Sequence, residues 1–256
     1  MRAIVVEELR EAAAAGRVLE RVVFSPDVPL DDFDLSGIRF EHCLFEAPAV
    51  KGADLSGAVF ENCKFAPARW ASCTLVGTRF AGCVLFDVER KQGCRFAFCE
   101  MRDVEMAKCN FATCTFERCD LYNVVATECS FRGAQFGGTS FAKALSRRQV
   151  HTRASFDGCN FSFADLSNLG LQECRFLSCK FAEASFMGSD LSDASLSGCD
   201  LDRVEWDRAK LRNADLRGSR LSGLDLSTLA DHAGLTIGES AQTALLEGLG
   251  LRVLPD

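Results

Sequence analysis

The 256-residue sequence predicts an all-β chain wound as one solenoid, and three observations carry that expectation. From residue 156 to residue 226 every fifth position is large and apolar: Phe156, Phe161, Leu166, Leu171, Phe176, Phe181, Phe186, Leu191, Leu196, Leu201, Trp206, Leu211, Leu216, Leu221 and Leu226. A helix repeats at 3.6 residues and a strand at 2, so neither yields a beat of five. The same beat runs upstream in two more phases, Leu35 to Leu85 and Phe96 to Phe141, giving 36 positions of Phe, Leu, Met, Trp and one each of Val and Ala. The residue two before each beat is usually small, and all 14 cysteines stand there. A strict short repeat is the signature of stacked turns that bury one continuous core.

Each unit of five therefore turns one large and one small apolar group inward, and the chain turns a corner at every unit. The other three positions carry Asp, Asn, Ser, Arg, Lys, Glu and Gly and face water. Stacked turns pair their backbones at a spacing of about 4.8 Å.

Taken in order, residues 1–29 read as an N-terminal cap, and residues 1–24 lie outside the beat. Strong helix formers fill 7–15 and Gly16 stops them, while 18–24 is strand-like. A solenoid needs such a cover, because its first turn otherwise exposes apolar surface and open strand edges. The repeat occupies 30–230, and it breaks twice. Between Leu85 and Phe96 the expected beat falls on Arg90 or Lys91, which do not belong inside; a short outward loop is predicted over 87–93. Between Phe141 and Phe156 the missed beats fall on Ser146 and His151, and 142–153 holds four basic residues and no acid. It reads as an excursion on one edge of the rod, and long insertions in compact repeats usually carry function.

Residues 231–256 form a C-terminal cover. A short strand is expected at 235–237 and a helix at 239–247 with an apolar stripe of Ala241, Ala244, Leu245 and Leu249. Leu251, Val253 and Leu254 suggest a last strand. This apolar surplus suits a symmetric homodimer, with Leu245, Leu249, Leu251, Val253 and Leu254 as the dimerisation residues.

Composition narrows the function. A hydrophobic fraction of 48% excludes a disordered chain. No apolar run is long enough to span a bilayer, and the opening run before Glu7 is too short for a secretory signal. The cysteines share their position with Ala, the behaviour of small buried hydrophobes rather than of disulfides, and imply a reducing, cytoplasmic setting. No CxxC pair occurs, and His42, His151 and His232 are far apart, so no metal is expected. Phe and Leu fill the interior and no phosphate-binding glycine loop is present, so neither catalysis, a cofactor nor a small-molecule ligand is expected.

The surface is what remains. The formal charge is −7, and four of the 29 basic residues sit in 142–153, leaving 25 against 36 acids elsewhere. An acidic rod thus carries a basic insertion. The acid excess reads either as ordinary solubility or as a docking surface for a basic partner, such as a nucleic-acid-binding protein, rather than for nucleic acid itself.

The period, the small–Asp/Asn–any–Leu/Phe grammar and the cysteine placement over about 30–230 resemble the pentapeptide repeat family. The resemblance implies a right-handed quadrilateral β-helix in which four corners close each coil, roughly nine coils in all. More narrowly, the chain is similar to the Qnr-type quinolone-resistance proteins. Phe186-Met187-Gly188-Ser189-Asp190-Leu191-Ser192 resembles a segment typical of them. So do the break before Gly93-Cys94, the larger break at 142–153, and the ending from Gln242 to Asp256. The N-terminal segment is longer than is usual there.

This likeness implies a dimeric, DNA-mimicking rod that binds DNA gyrase and topoisomerase IV and protects them from fluoroquinolones, its loops touching the enzyme. Carried over, Glu89, Arg90, Lys91 and Gln92 form the small loop, and Lys143, Arg147, Arg148, His151 and Arg153 the large one. Two other readings stay open: an interaction scaffold with a non-topoisomerase partner, and a self-resistance protein guarding gyrase against a natural toxin.

Overall fold

A computed structural model of the chain describes residues 1–46, 49–146 and 149–254. Parallel bridges join residues one coil apart, Asp34 to Asp54, Asp54 to Thr74 and Asp165 to Ser185. Four beats therefore close each turn, and the coil has four walls, numbered here in chain order. Wall 1 stacks Leu35, Leu55, Leu75, Met101, Leu121 and Phe141, then Leu171 to Leu211. Wall 2 stacks Phe40, Phe60, Phe80, Met106, Ala126, Phe156 and Phe176. Wall 3 stacks Phe45, Phe65, Leu85, Phe111, Phe131, Phe161 and Phe181, and wall 4 Val50, Trp70, Phe96, Phe116, Phe136, Leu166 and Phe186.

The beat residues seal the interior. Phe156, Phe176 and Leu201 are 3%, 0% and 1% exposed. Rings stack rung on rung, as Phe40 on Phe60 at 4.8 Å between centroids, and meet edge-on across walls, as Phe40 and Phe45 at 5.3 Å. Each such pair adds about 0.5–1.5 kcal/mol beyond the burial itself.

The small inward position has its own logic. Cys43, Cys63, Cys83, Cys109, Cys129, Cys159, Cys179 and Cys199 form a column of free, buried thiols. The Cys63 thiol donates to the Phe40 carbonyl at 3.4 Å and the Cys179 thiol to that of Phe156 at 3.5 Å. Where Thr78 or Ser189 replaces cysteine, the hydroxyl donates to Leu55 or Leu166 at 2.8 and 2.6 Å. A backbone acceptor thus waits at that position, so Ala, Cys, Ser and Thr all fit without an unsatisfied buried donor. Burial pushes the Cys94 thiol up to about 11 and that of Cys174 to about 12.

Corners explain the polar positions. Two residues after many beats the backbone enters the left-handed region, as at Gly37, Asn62 and Asp103, with φ of 67°, 52° and 58°. Glycine, Asn and Asp tolerate it best. The residue just before many beats is Asp or Asn because its side chain accepts from the backbone two residues on: Asp54 from Ser56 at 2.9 Å, Asn160 from Ser162 at 3.0 Å.

Helix α1 spans Val6–Ala15 and ends at Gly16 in the left-handed conformation, as the sequence implies. Residues 18–24, expected outside the beat, instead start the coil. Val18–Glu20 pairs in parallel with Arg39–Glu41, and Val22–Phe24 with Leu44–Phe45, so Leu19 lies under Phe40 and Phe24 stacks on Phe45 at 4.4 Å. The interval from Phe24 to buried Leu30 is one residue longer than a beat, which hides the phase.

The two expected loops are β-hairpins. Phe86–Asp87 pairs antiparallel with Gln92–Gly93, and Ala142–Ser146 with Gln149–Thr152 around a bulge. At the C-terminal end Thr236 still bridges to Asp215. A 3-10 turn, Glu239–Ala241, leads into helix α2, Gln242–Gly248. The last strand expected at 251–254 is absent: these residues are exposed and form no strand, and the Leu251 N–H donates to the Leu246 carbonyl at 3.1 Å at the end of helix α2. Among the described residues no helix is long and apolar enough to cross a membrane.

Candidate partner-binding surface

Side chains fill the interior, so the polar groups and loops of the chain are displayed on its exterior. Among the described residues no three His, Cys, Asp or Glu converge on a metal-sized site.

The first hairpin leaves the corner between walls 3 and 4, where Phe96 follows Leu85 by eleven positions instead of five. Asp87 shapes its tip: its Oδ1 accepts from the Glu89 and Arg90 amides at 2.9 and 3.0 Å, and Oδ2 lies 3.7 Å from Arg90 Nε. Lys91 closes the turn with a φ of 53°. Glu89, Arg90, Lys91 and Gln92 are all exposed.

The second hairpin leaves the corner between walls 1 and 2, diagonally across the coil from the first. Its feet are stitched to the rungs: Arg153 N–H donates to Phe141 O at 3.0 Å, and Asn123 N–H donates to Arg153 O at 2.7 Å. Lys143 faces His151 across the pair, and its Nζ lies 5.6 Å from the centre of the Tyr122 ring, a cation–π contact that ties the hairpin to wall 1. Lys143 and Arg153 are exposed and His151 is half-buried; Arg147 and Arg148 lie outside the described residues. A cleft of about 480 Å³ opens at the base, lined in part by Tyr122, His151, Arg153 and Arg175.

Two features escape a linear reading of the sequence. Tyr122 is one, since nothing in the beat marks it as the hairpin's support. The other is the acidity of wall 1, whose outward residues before the beat include Asp34, Asp54, Glu100, Asp120, Asp190 and Asp231. The signal recurs at fourth beats but is broken by Thr74, Ser140, Gly170 and Lys210, and the acids on other walls obscure it. The hydroxyl and amide of Ser36 hold the Asp34 carboxyl below the usual carboxylate range. Asp120 accepts from Tyr122 N–H at 3.0 Å and Asp190 from Ser192 N–H at 3.1 Å, so their positions are fixed by the turns. Partial neutralisation comes from Lys210, 3.2 Å from Asp190, and Arg102, 3.3 Å from Asp120. Asp103, Glu173 and Asp193 extend the acid strip onto the corner from which the second hairpin rises. Basic hairpin and acidic wall thus stand side by side.

At the C-terminal end the expected dimerisation residues divide. Leu245 is 7% exposed and belongs to the chain's own core. Leu249, Leu251, Val253 and Leu254 are 50%, 54%, 39% and 77% exposed.

Residues 151–226 match the family described as pentapeptide repeat region, and residues 105–142 match pentapeptide repeats (8 copies). The chain is 27% identical over 105 residues to the quinolone resistance pentapeptide repeat protein QnrB96 of Scandinavium goeteborgense, covering 41% of this chain and 49% of that one. It is 27% identical over 92 residues to the pentapeptide repeat protein QnrB4 of Escherichia coli, covering 36% and 43%. The matched stretches thus span about half the length of these curated relatives. Among solved structures it is similar to full-length QnrB1, a plasmid-mediated fluoroquinolone resistance protein, with a TM-score of 0.67 and 24% identity over 91% of this chain and 100% of that one. That likeness extends to the fold.

Proposed function

Because this chain is a pentapeptide-repeat protein of the Qnr type, we propose that it binds DNA gyrase and topoisomerase IV in the cytoplasm and protects them from quinolone-type inhibitors without chemistry of its own. The observation that carries this reading is the basic second hairpin standing beside a wall of rung-spaced carboxylates on a rod whose core is filled. Wall 1 meets the basic saddle on which the topoisomerase holds DNA. Its carboxylates recur no more often than once per rung of about 4.8 Å, against one duplex charge per about 1.7 Å. Electrostatic imitation is therefore partial, and rod shape and hairpin contacts supply the rest. Exposed Leu249, Leu251, Val253 and Leu254 meet a second copy and lengthen the rod. Bound in this way, the protein competes with DNA or draws the enzyme away from the drug-stabilised cleavage complex.

The test is supercoiling by purified gyrase with ciprofloxacin across a titration of this protein. Rescue at low concentration and inhibition at high concentration are expected. Deleting 143–152 removes no core beat, so it should leave the fold intact and abolish rescue. Full rescue by the deletion variant overturns the hairpin's role, and absence of rescue by the intact chain overturns the reading.

A further inference from the structure

We infer that the second hairpin takes a third strand: an extended segment of the partner protein pairs with the free backbone edge of Gln149–Thr152, in the cleft at the hairpin's base. This rests on the topoisomerase reading, which supplies the partner. It starts from the parity of the hairpin's own bonds. In an antiparallel pair, opposed residues alternate between exchanging backbone hydrogen bonds and turning those groups outward. Arg153 N–H donates to Phe141 O at 3.0 Å, and the register runs on through Ala142 opposite Thr152, Lys143 opposite His151 and Ala144 opposite Val150. Lys143 and His151 are therefore the next bonded pair, and the N–H and C=O groups of Thr152 and Val150 point away from the outgoing strand.

The two outer edges differ. On the outgoing strand, Ser140 Oγ accepts from the Ala142 N–H at 3.2 Å and caps the edge where it leaves the coil. The returning strand has no such cap. Thr152 is only 8% exposed, yet among the described residues neither its N–H nor its C=O has a partner. Buried backbone groups left open in this way are rare, and an open strand edge is a template for another strand. The cleft of about 480 Å³ is lined by Thr152 together with Tyr122, Val125, Glu173 and Arg175, so the edge opens onto it.

The edge selects its occupant by chemistry. It offers donors and acceptors in alternation, and a polypeptide backbone returns both, whereas the phosphates of a nucleic acid only accept. The sides of the cleft set the pattern of the added strand. Tyr122 and Val125 belong to the rung before the hairpin, and Arg175 to the rung after it. Strand side chains alternate between two faces. One set therefore meets the Tyr122 ring and Val125, which is 44% exposed, and the other meets Glu173 and Arg175. A segment alternating apolar and polar residues fits. Net charge is not the selector, because Glu173 offsets Arg175.

The experiment pairs supercoiling by purified gyrase under ciprofloxacin with amide exchange of the full chain, read by mass spectrometry with and without gyrase. Val150→Pro removes an edge N–H that the hairpin does not use, a change that edge strands tolerate; Val150→Thr keeps it. Rescue should need about tenfold more of the proline variant and an unchanged amount of the threonine variant, at equal melting temperatures. The Thr152 amide should exchange faster than that of His151 in the free chain and become protected when gyrase binds. Rescue by the intact chain with equal potency of both variants, or a Thr152 amide that gyrase leaves unprotected, overturns the inference and leaves the topoisomerase reading standing. Equal loss from both variants assigns the contact to the valine side chain and overturns it too. Absence of rescue by the intact chain overturns both readings. If proline lowers the melting temperature, exchange at Thr152 in the parent decides: protection by gyrase supports the third strand and its absence overturns it.

Discussion

Gly93 lies against the backbone of Cys114 so closely that a β-carbon on it would sit 2.6 Å from the Cys114 amide nitrogen and 2.8 Å from its sulfur. This is where the first hairpin rejoins the coil, and the Ala112 carbonyl oxygen is nearer still, at 2.5 Å. Backbone cannot yield as a side chain does. Gly93→Ala is therefore expected to cost about 1–3 kcal/mol in denaturant unfolding. Gly137→Ala, with nothing within 4 Å of its added carbon, should be nearly neutral.

Thr113 sits at a corner with a φ of 53°. A β-branched residue is poorly suited to that region. Thr113→Asn should raise stability by about 1 kcal/mol, seen as a higher denaturant midpoint at unchanged slope.

Phe176 is fully buried, stacked on Phe156 at 5.1 Å and edge-on to Phe181 at 5.4 Å. Phe176→Ala should cost about 3–5 kcal/mol, since the rungs on either side cannot collapse into the gap. An unfolding midpoint within error of the parent would show that the stack contributes little.

The thiols should be inert in the native chain. Cys94 and Cys174, raised by burial to about 11 and 12, hold almost no thiolate at pH 8. A thiol-specific chromogenic reagent should label essentially none of the 14 cysteines natively and all of them in denaturant. Rapid native labelling would contradict the sealed column.

Acid should destabilise the fold in a defined window. Asp34 beside Ser36, Asp200 beside Arg220, Asp215 beside Arg217 and Asp225 beside Ser227 are all held below the usual carboxylate range by those hydrogen bonds. Their folded-state values lie below the unfolded ones, so their contribution is complete above the unfolded value of about 3.9. It is lost as pH falls through the folded value. Unfolding free energy measured from pH 7 downward should stay flat with respect to these groups until about pH 4 and then fall.

The five-residue beat alone places Phe176 and Leu201 inside, because a period reports burial directly. It also marks 87–93 and 142–153 as departures, since charges land on inward positions. It does not reveal that both are hairpins: their polar strands have little propensity of their own and owe their pairing to the coil that holds their feet. Leu19 and Phe24 go unread because one extra residue before Leu30 shifts the phase. The acid strip of wall 1 becomes visible only once the coil is known to close at four beats.

The partial turn made by Val18–Glu20 and Val22–Phe24 sets a direction for the whole assembly. Each later coil rests on the one before it, and this strip, itself backed by Arg2–Ala3 paired to Val22–Val23, is the surface on which the first full coil is laid. Every strand of a later coil pairs with one made earlier, so winding has what it needs to keep pace with synthesis.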